Sequence, residues 1–151
     1  MATLVLIRHS KAEPHRGVDH ERELAPRGRS DAAELRDWLQ GKGITPSYVV
    51  VSTATRTRQT WECCSVGTFA PVYDERVYDA SVTDLLGVLS EAPGQGTVVL
   101  VGHNPSVEQL AWHLDDSPEA RERTDTGLST SGAAVFEDWS GDSARLVAFR
   151  G

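Results

Sequence analysis

Cysteine is almost absent from this 151-residue chain, and its only two copies, Cys63 and Cys64, are neighbours. Adjacent cysteines cannot staple distant parts of a fold, so no disulfide framework is expected, and the pair fits a reducing cytoplasm. They read as residues buried on a helix; a metal role would need further ligands that nothing nearby supplies. Positive charge is also in short supply: 15 Lys and Arg stand against 22 Asp and Glu, for a net charge of −7. That balance argues against nucleic-acid and anionic-membrane partners, which favour a basic excess. No apolar run approaches the ~20 residues that cross a bilayer. The first residues lack the basic flank, apolar stretch and cleavage site of a secretory signal. The expectation is a cytoplasmic protein of ordinary globular composition, 39% hydrophobic and 25% charged, forming one domain over residues 1–151. Internal repeats and low-complexity tracts are missing too.

The chain does have a set of short apolar runs, each leading into chemistry. Leu4-Val5-Leu6-Ile7 suits a strand buried on both faces of a parallel sheet, and Arg8-His9-Ser10 comes directly after it. Residues 11–27 are polar and punctuated by Pro14 and Gly17, so they read as a loop. His15, Asp19, His20 and Glu21 lie there, but their spacing matches no metal-ligand pattern. They are expected to be solvated residues at the mouth of a site. Pro26 suits a first helical turn; Ala32, Leu35 and Leu39 then recur at helical spacing until Gly41 and Gly43. Ala25 is a poor N-cap for that helix. Tyr48-Val49-Val50-Val51 predicts a second strand. Ser52 is expected to cap the next helix, placing Arg56 in its first turn and carrying it to about Cys64.

Val72 and Tyr73 mark a short extended piece. Ser81 and Asp84 form a capping-box pattern, and Val82, Leu85, Leu86 and Leu89 form an apolar stripe that Pro93 and Gly94 end. Thr97-Val98-Val99-Leu100-Val101 is the clearest strand, with Gly102-His103-Asn104-Pro105 after it. Asn104 is expected to cap, with Pro105 in the first helical position and Val107, Leu110, Ala111 and Leu114 as the buried face. Residues 115–128 lack periodicity and predict a mobile excursion. The runs around Val135 and Leu146 predict a C-terminal antiparallel hairpin at a sheet edge. Strands alternating with helices imply an α/β fold: a single three-layer domain with a mainly parallel sheet flanked by helices.

Three predicted strand ends carry the same punctuation: Arg8-His9, Ser52 leading to Arg56, and His103. In a parallel sheet these ends share one edge, where ligands of open α/β sheets bind. Two imidazoles and two guanidiniums would meet there. Guanidinium forks match phosphate oxygens bidentately, and neighbouring cations keep an imidazole neutral and nucleophilic. No nucleophile-elbow serine, phosphate-binding Walker loop or zinc-ligand set is present. His113 reads as structural or exposed, Arg22 and Arg58 as surface cations, and Lys11 lies near the first motif without a defined role.

Arg8-His9-Ser10-Lys11-Ala12-Glu13, the Ser52…Arg56…Thr60 segment and Gly102-His103 together resemble the histidine phosphatase superfamily, known for its Arg-His-Gly signature. The resemblance runs from Leu4 to about Leu114, with Leu128-Ser129-Thr130-Ser131-Gly132 a further match. The short chain and the Lys-Ala-Glu continuation look like the small SixA-type phosphohistidine phosphatases, of phosphoglycerate mutase-like fold. The resemblance implies that His9 is the transiently phosphorylated nucleophile and that Arg8 and Arg56 bind phosphate. It implies that His103 contacts a phosphoryl oxygen and that Glu75 sits where related enzymes carry a proton donor. It also implies a metal-independent phosphatase without cofactor, acting on a phosphorylated protein or a small phosphoester.

Ser10 departs from the signature glycine; its hydroxyl could donate to phosphate or narrow the pocket. Without a reaching Glu75, alkoxide leaving groups become slow, whereas a phosphorylated imidazole protonated on its ring suffers less. That favours protein phosphohistidine or aryl phosphate over sugar phosphates. Two other readings stay open: a non-catalytic phosphate-binding module, and a small-molecule phosphomonoesterase or mutase.

Overall fold

The computed structural model describes residues 2–14 and 16–151. His15 therefore lies outside the described residues. Six strands form one sheet in the order β3-β2-β4-β1-β5-β6. They are β1 (Ala2–Arg8), β2 (Tyr48–Ser52), β3 (Val72–Asp74), β4 (Gly96–Gly102), β5 (Ala133–Ser140) and β6 (Ser143–Arg150). The first four run parallel; β5 pairs antiparallel with β1 and with β6, so the C-terminal hairpin forms the far side of the sheet.

Strand periodicity sorts the core. Val5 and Ile7 face α1 (Pro26–Gly41) and α2 (Thr55–Cys64), packing with Ala32, Leu35, Leu39 and Trp61. Leu4 and Leu6 face the opposite way, toward α3 (Val82–Leu89) and α4 (Ser106–Leu114), and pack with Leu85, Val107, Leu110 and Phe136. Leu4, Val5, Leu6 and Ile7 are all 0% exposed, which is why the run is apolar without alternation. Each such side chain contributes about 1.5–3 kcal/mol relative to exposure. The expected three-layer α/β domain is thus the observed one.

Three local expectations are corrected. Ser52 does not cap α2: it ends β2, the N-cap is Ala54 without a side-chain cap, and the Ser52 hydroxyl bonds His103 instead. Asn104 does not cap α4 either. The N-cap position is Pro105, one residue later, and the Asn104 amide is drawn away to donate to Glu108 and to the Leu128 carbonyl. Residues 115–128 are not wholly irregular, because α5 (Pro118–Thr124) lies within them, capped by the Ser117 hydroxyl. Its two buried residues, Ala120 and Thr124, make too weak a stripe to show as periodicity. The Ser81–Asp84 capping box is present at α3 as expected. Of the cysteines, Cys64 is buried at the end of α2, its thiol pushed up to about 12 by burial, while Cys63 is only half-buried.

The loop between β1 and α1 is closed at its neck. The Ala25 N–H donates to the Lys11 carbonyl and the Glu13 N–H to that of Glu23, with an antiparallel bridge between Ala12 and Leu24. Gly28 permits this closure: a Cβ there would lie 2.0 Å from the Lys11 carbonyl oxygen. The tip carries a 3-10 turn over Asp19–Glu21, anchored by a 2.8 Å bond between His20 Nε2 and Thr53 Oγ1.

Candidate active site

The parallel pairing puts the carboxyl ends of β1, β4 and β2 side by side. The sheet brings together Arg8, His9, Ser52, Arg56 and His103. The His9 N–H donates to the Gly102 carbonyl at 3.0 Å, welding the first motif to the Gly102-His103 motif. Gly102 must be small here, because a Cβ would come within 2.9 Å of Val107 Cγ2.

His9 is 8% exposed, and its Nδ1 lies 2.7 Å from the Ser10 carbonyl oxygen. A carbonyl only accepts, so Nδ1 carries the hydrogen and Nε2 keeps its lone pair. The His9 and His103 rings are 5.3 Å apart between centroids. Burial lowers the His9 imidazole to about 4, outweighing the raising effect of the Ser10 hydrogen bond, with Arg56, Arg8 and Arg22 lowering it further. Burial also takes His103 to about 3, helped by His9 and Arg56. Both rings are neutral at physiological pH.

A low His9 pKa predicts a pH profile. The neutral, nucleophilic form is lost only as pH falls through about 4. After correction for the substrate's own ionisation, kcat/KM should show no enzyme-derived acid limb between pH 5.5 and 8, the range bracketing an ordinary imidazole at about 6.5. A limb centred near that ordinary value would contradict the buried, cation-flanked environment.

Both arginines are held by backbone acceptors. Arg8 Nη1 donates to the Leu128 carbonyl at 3.0 Å. Arg56 Nη1 donates to the Asp19 carbonyl at 2.8 Å and Nη2 to the Asp19 carboxylate at 3.0 Å. Among the described residues, the buried side-chain polar atoms without a hydrogen-bond partner are Arg8 Nε, Arg22 Nε, Arg56 Nε, His103 Nδ1 and Asn104 Oδ1. Native interiors leave few such atoms. Here Arg8, Arg22 and Arg56 all bear electrostatically on His9, while Arg56, His103 and Asn104 line one small cavity of about 120 Å³. Asp19, Tyr78, Asp79, Ala80, Pro105 and Ser106 complete its wall, so the N-terminus of α4 faces in, where backbone N–H groups favour an anion.

Ser10 is fully buried. Its hydroxyl sits 2.5 Å from that of Ser131, and its N–H donates to Thr60 Oγ1 at 2.9 Å. Thr60 in turn donates to the Arg56 carbonyl, tying the nucleophile's neighbour to the helix that carries Arg56. The Ser131 N–H donates to the His9 carbonyl, and the Arg8 N–H to the Gly132 carbonyl. Leu128–Gly132 thus braces the first motif from the other side.

Glu75 is not brought to this cluster. It opens a 3-10 turn over Glu75–Val77 and is exposed, and it is not among the residues lining the cavity. Two residues near the site differ from their sequence expectation. Arg22 is not a plain surface cation: its side chain is 25% exposed and faces Asp19 at 3.5 Å. Asp19 is not a merely solvated loop residue, since it accepts from Arg56 and from the Tyr78 hydroxyl. No spacing rule links a loop residue to a helix 37 positions on, so neither carries a signal in the sequence. Arg58 lies over the Tyr73 ring and donates to the Thr53 carbonyl, and His113 is exposed beside Asp142; neither lines the cavity.

A family model for the histidine phosphatase superfamily (branch 1) matches residues 4–80. An uncharacterized Mycobacterium leprae protein, ML1117, is 34% identical, the match covering 95% of this chain and 98% of that one. The crystal structure of an Agrobacterium tumefaciens protein, provisionally assigned as the phosphohistidine phosphatase SixA, superposes with a TM-score of 0.88. It is 27% identical, with 99% of this chain and 98% of that chain covered. The protein histidine phosphatase SixA, solved in complex with tungstate, shares the fold at a TM-score of 0.80 and 20% identity, covering 99% of this chain and 96% of that one. No helix among the described residues is long and apolar enough to cross a membrane.

Proposed function

Because the chain belongs to the histidine phosphatase superfamily (branch 1) and is a phosphatase working through phosphohistidine, we propose that His9 is the residue phosphorylated and that protein phosphohistidine is the substrate. The observation that carries the site assignment is a small cavity lined by Arg56, His103 and Asn104, each with an unpartnered buried polar atom, next to the neutral His9 imidazole, whose ring lies 5.3 Å from that of His103. Guanidinium N–H groups and a histidine ring are the donors that a tetrahedral oxyanion takes.

The reaction follows from the geometry. The His9 Nε2 lone pair attacks phosphorus while the hydrogen stays on Nδ1, which donates it in a hydrogen bond to the Ser10 carbonyl; that bond fixes the ring and stabilises the positive charge that develops on it. Arg8, Arg56 and His103 hold the equatorial oxygens as charge spreads over them. The leaving group departs with its bonding pair. Water then attacks phosphohistidine, the pair returns to Nε2, and the water's proton goes to the phosphate product. Ser10 serves as an anchor through the bond between its hydroxyl and that of Ser131.

Two features favour an imidazole leaving group on a protein. Glu75, the acid that an alkoxide would need, is exposed and outside the cavity wall. The cavity's ~120 Å³ is well below the ~300 Å³ at which pockets begin to enclose whole small ligands. It fits a phosphoryl group whose carrier stays outside.

A substrate panel tests this. Phosphohistidine peptides should exceed sugar phosphates in kcat/KM by about 10²-fold or more, the contribution of one general acid, with aryl phosphates between. Sugar phosphates matching or exceeding phosphohistidine peptides would replace the proposal with a small-molecule phosphomonoesterase.

A further inference from the structure

The unexplained group in the cavity wall is Asp19. A site arranged to hold an anion has a carboxylate in direct contact with one of its arginines, at 3.0 Å from Arg56 Nη2. Asp79, an exposed acidic residue at a φ of +57° that non-glycine residues rarely adopt, also lines the cavity. Both oppose phosphate binding unless they meet something on the substrate other than the phosphoryl group.

Asp19 is built into the wall. The neck of its loop is hydrogen-bonded shut, His20 ties the tip to Thr53, and the Tyr78 hydroxyl donates to Oδ2 at 2.7 Å. The Tyr78 hydrogen bond, together with the hydrogen bond and charge of Arg56 and the charge of Arg22, holds the carboxyl at about 2 against the opposing effect of burial, so it is ionised throughout the physiological range. Its oxygens are unequally occupied. Oδ2 accepts from both Arg56 and Tyr78. Oδ1 faces Arg22 at 3.5 Å, too long for a strong hydrogen bond, on a side chain that is 37% exposed. A carboxylate offers about four acceptor positions, so Oδ1 has capacity for a donor arriving from outside the cavity.

We propose that Asp19 is a specificity-determining residue that accepts the N–H of a protonated nitrogen leaving group, selecting phosphoramidates of the phosphoimidazole class over phosphate esters. The proposal rests on the reading of the site as one that transfers a phosphoryl group to His9. The substrate's phosphorylated ring carries a proton on its second nitrogen and donates it in a hydrogen bond to Asp19. His9 Nε2 forms its bond to phosphorus, the phosphorus–nitrogen bond of the substrate breaks, and that pair neutralises the ring, which leaves as imidazole with its N–H intact. No further proton is required, consistent with Glu75 standing outside. An ester offers no such N–H, and an ester with a carboxylate or second phosphate nearby is repelled by Asp19 and Asp79.

The test compares kcat/KM for phosphoimidazole and for p-nitrophenyl phosphate, whose leaving group needs no proton, in the full chain and in Asp19→Asn. A charge-assisted hydrogen bond is worth about 1.5–3 kcal/mol, so the ratio of phosphoimidazole to aryl phosphate should fall by about tenfold or more. Asp19→Ser should move the ratio the same way, and Asp19→Glu should restore part of it. A common factor on both substrates overturns the proposal: a shared fall makes Asp19 structural, and a shared rise makes it only a competitor for Arg56. Failure of the underlying reading shows separately, as turnover persisting in His9→Ala.

Discussion

Replacing His9 with alanine should lower turnover of every substrate by about 10³-fold or more, the scale seen when a covalent nucleophile is removed. The chain should still fold, because the side chain touches the core only at the sheet's carboxyl edge and its own backbone bonds to Gly102 and Ser131 remain. Phosphate binding should persist, since Arg8, Arg56 and His103 are untouched. Circular dichroism and a phosphate titration beside the rate assay separate these outcomes. A folded, phosphate-binding, inactive variant is the expected result. Substantial residual turnover would remove His9 from the mechanism, and a wild-type protein that binds phosphate without turnover would make the chain a binding module.

The second large effect is expected at Arg56. Arg56→Lys keeps the positive charge that helps hold His9 neutral but loses the planar fork. A lysine presents a compact, rotating ammonium in place of parallel N–H donors. Losing a positioned donor to the developing charge costs about 10²–10³-fold, so kcat/KM should fall by about that much, with little change in the pH profile. The residue is 6% exposed, and the ammonium stem is shorter in reach, so the contacts to the Asp19 carbonyl and to its carboxylate cannot be remade together. A fall of less than about threefold would place phosphate recognition elsewhere, on Arg8 and the N-terminus of α4.

The parts of this molecule legible in the sequence are those fixed by short-range physics. Leu4–Ile7 and Val98–Val101 are apolar because both faces of the central strands are buried. The residues directly after each run must then lie at the sheet's carboxyl edge. Arg8, His9, Arg56 and His103 are legible for that reason. Ser52 and Asn104 show the limit of local rules. Both have the side chain of an N-cap, but a buried imidazole claims the one, and Glu108 with the Leu128 carbonyl claims the other. Tertiary partners outcompete the helix end. Asp19 and Tyr78 are invisible in the sequence because they meet only when a closed loop folds back over α2 and the chain after β3. The Ser10 hydroxyl finds Ser131, 121 positions away, so the departure from glycine becomes interpretable only in three dimensions.

The whole mechanism turns on a phosphoryl group carried on His9. Mixing the protein with a ³²P-labelled phosphoimidazole substrate and quenching within the first turnovers tests it directly. Label should remain on the protein after an alkaline quench, be lost in acid as expected for phosphohistidine, map to the peptide containing His9, and be absent from His9→Ala. Turnover with no protein-bound label at any quench time, or label of equal stoichiometry on His9→Ala, would contradict it.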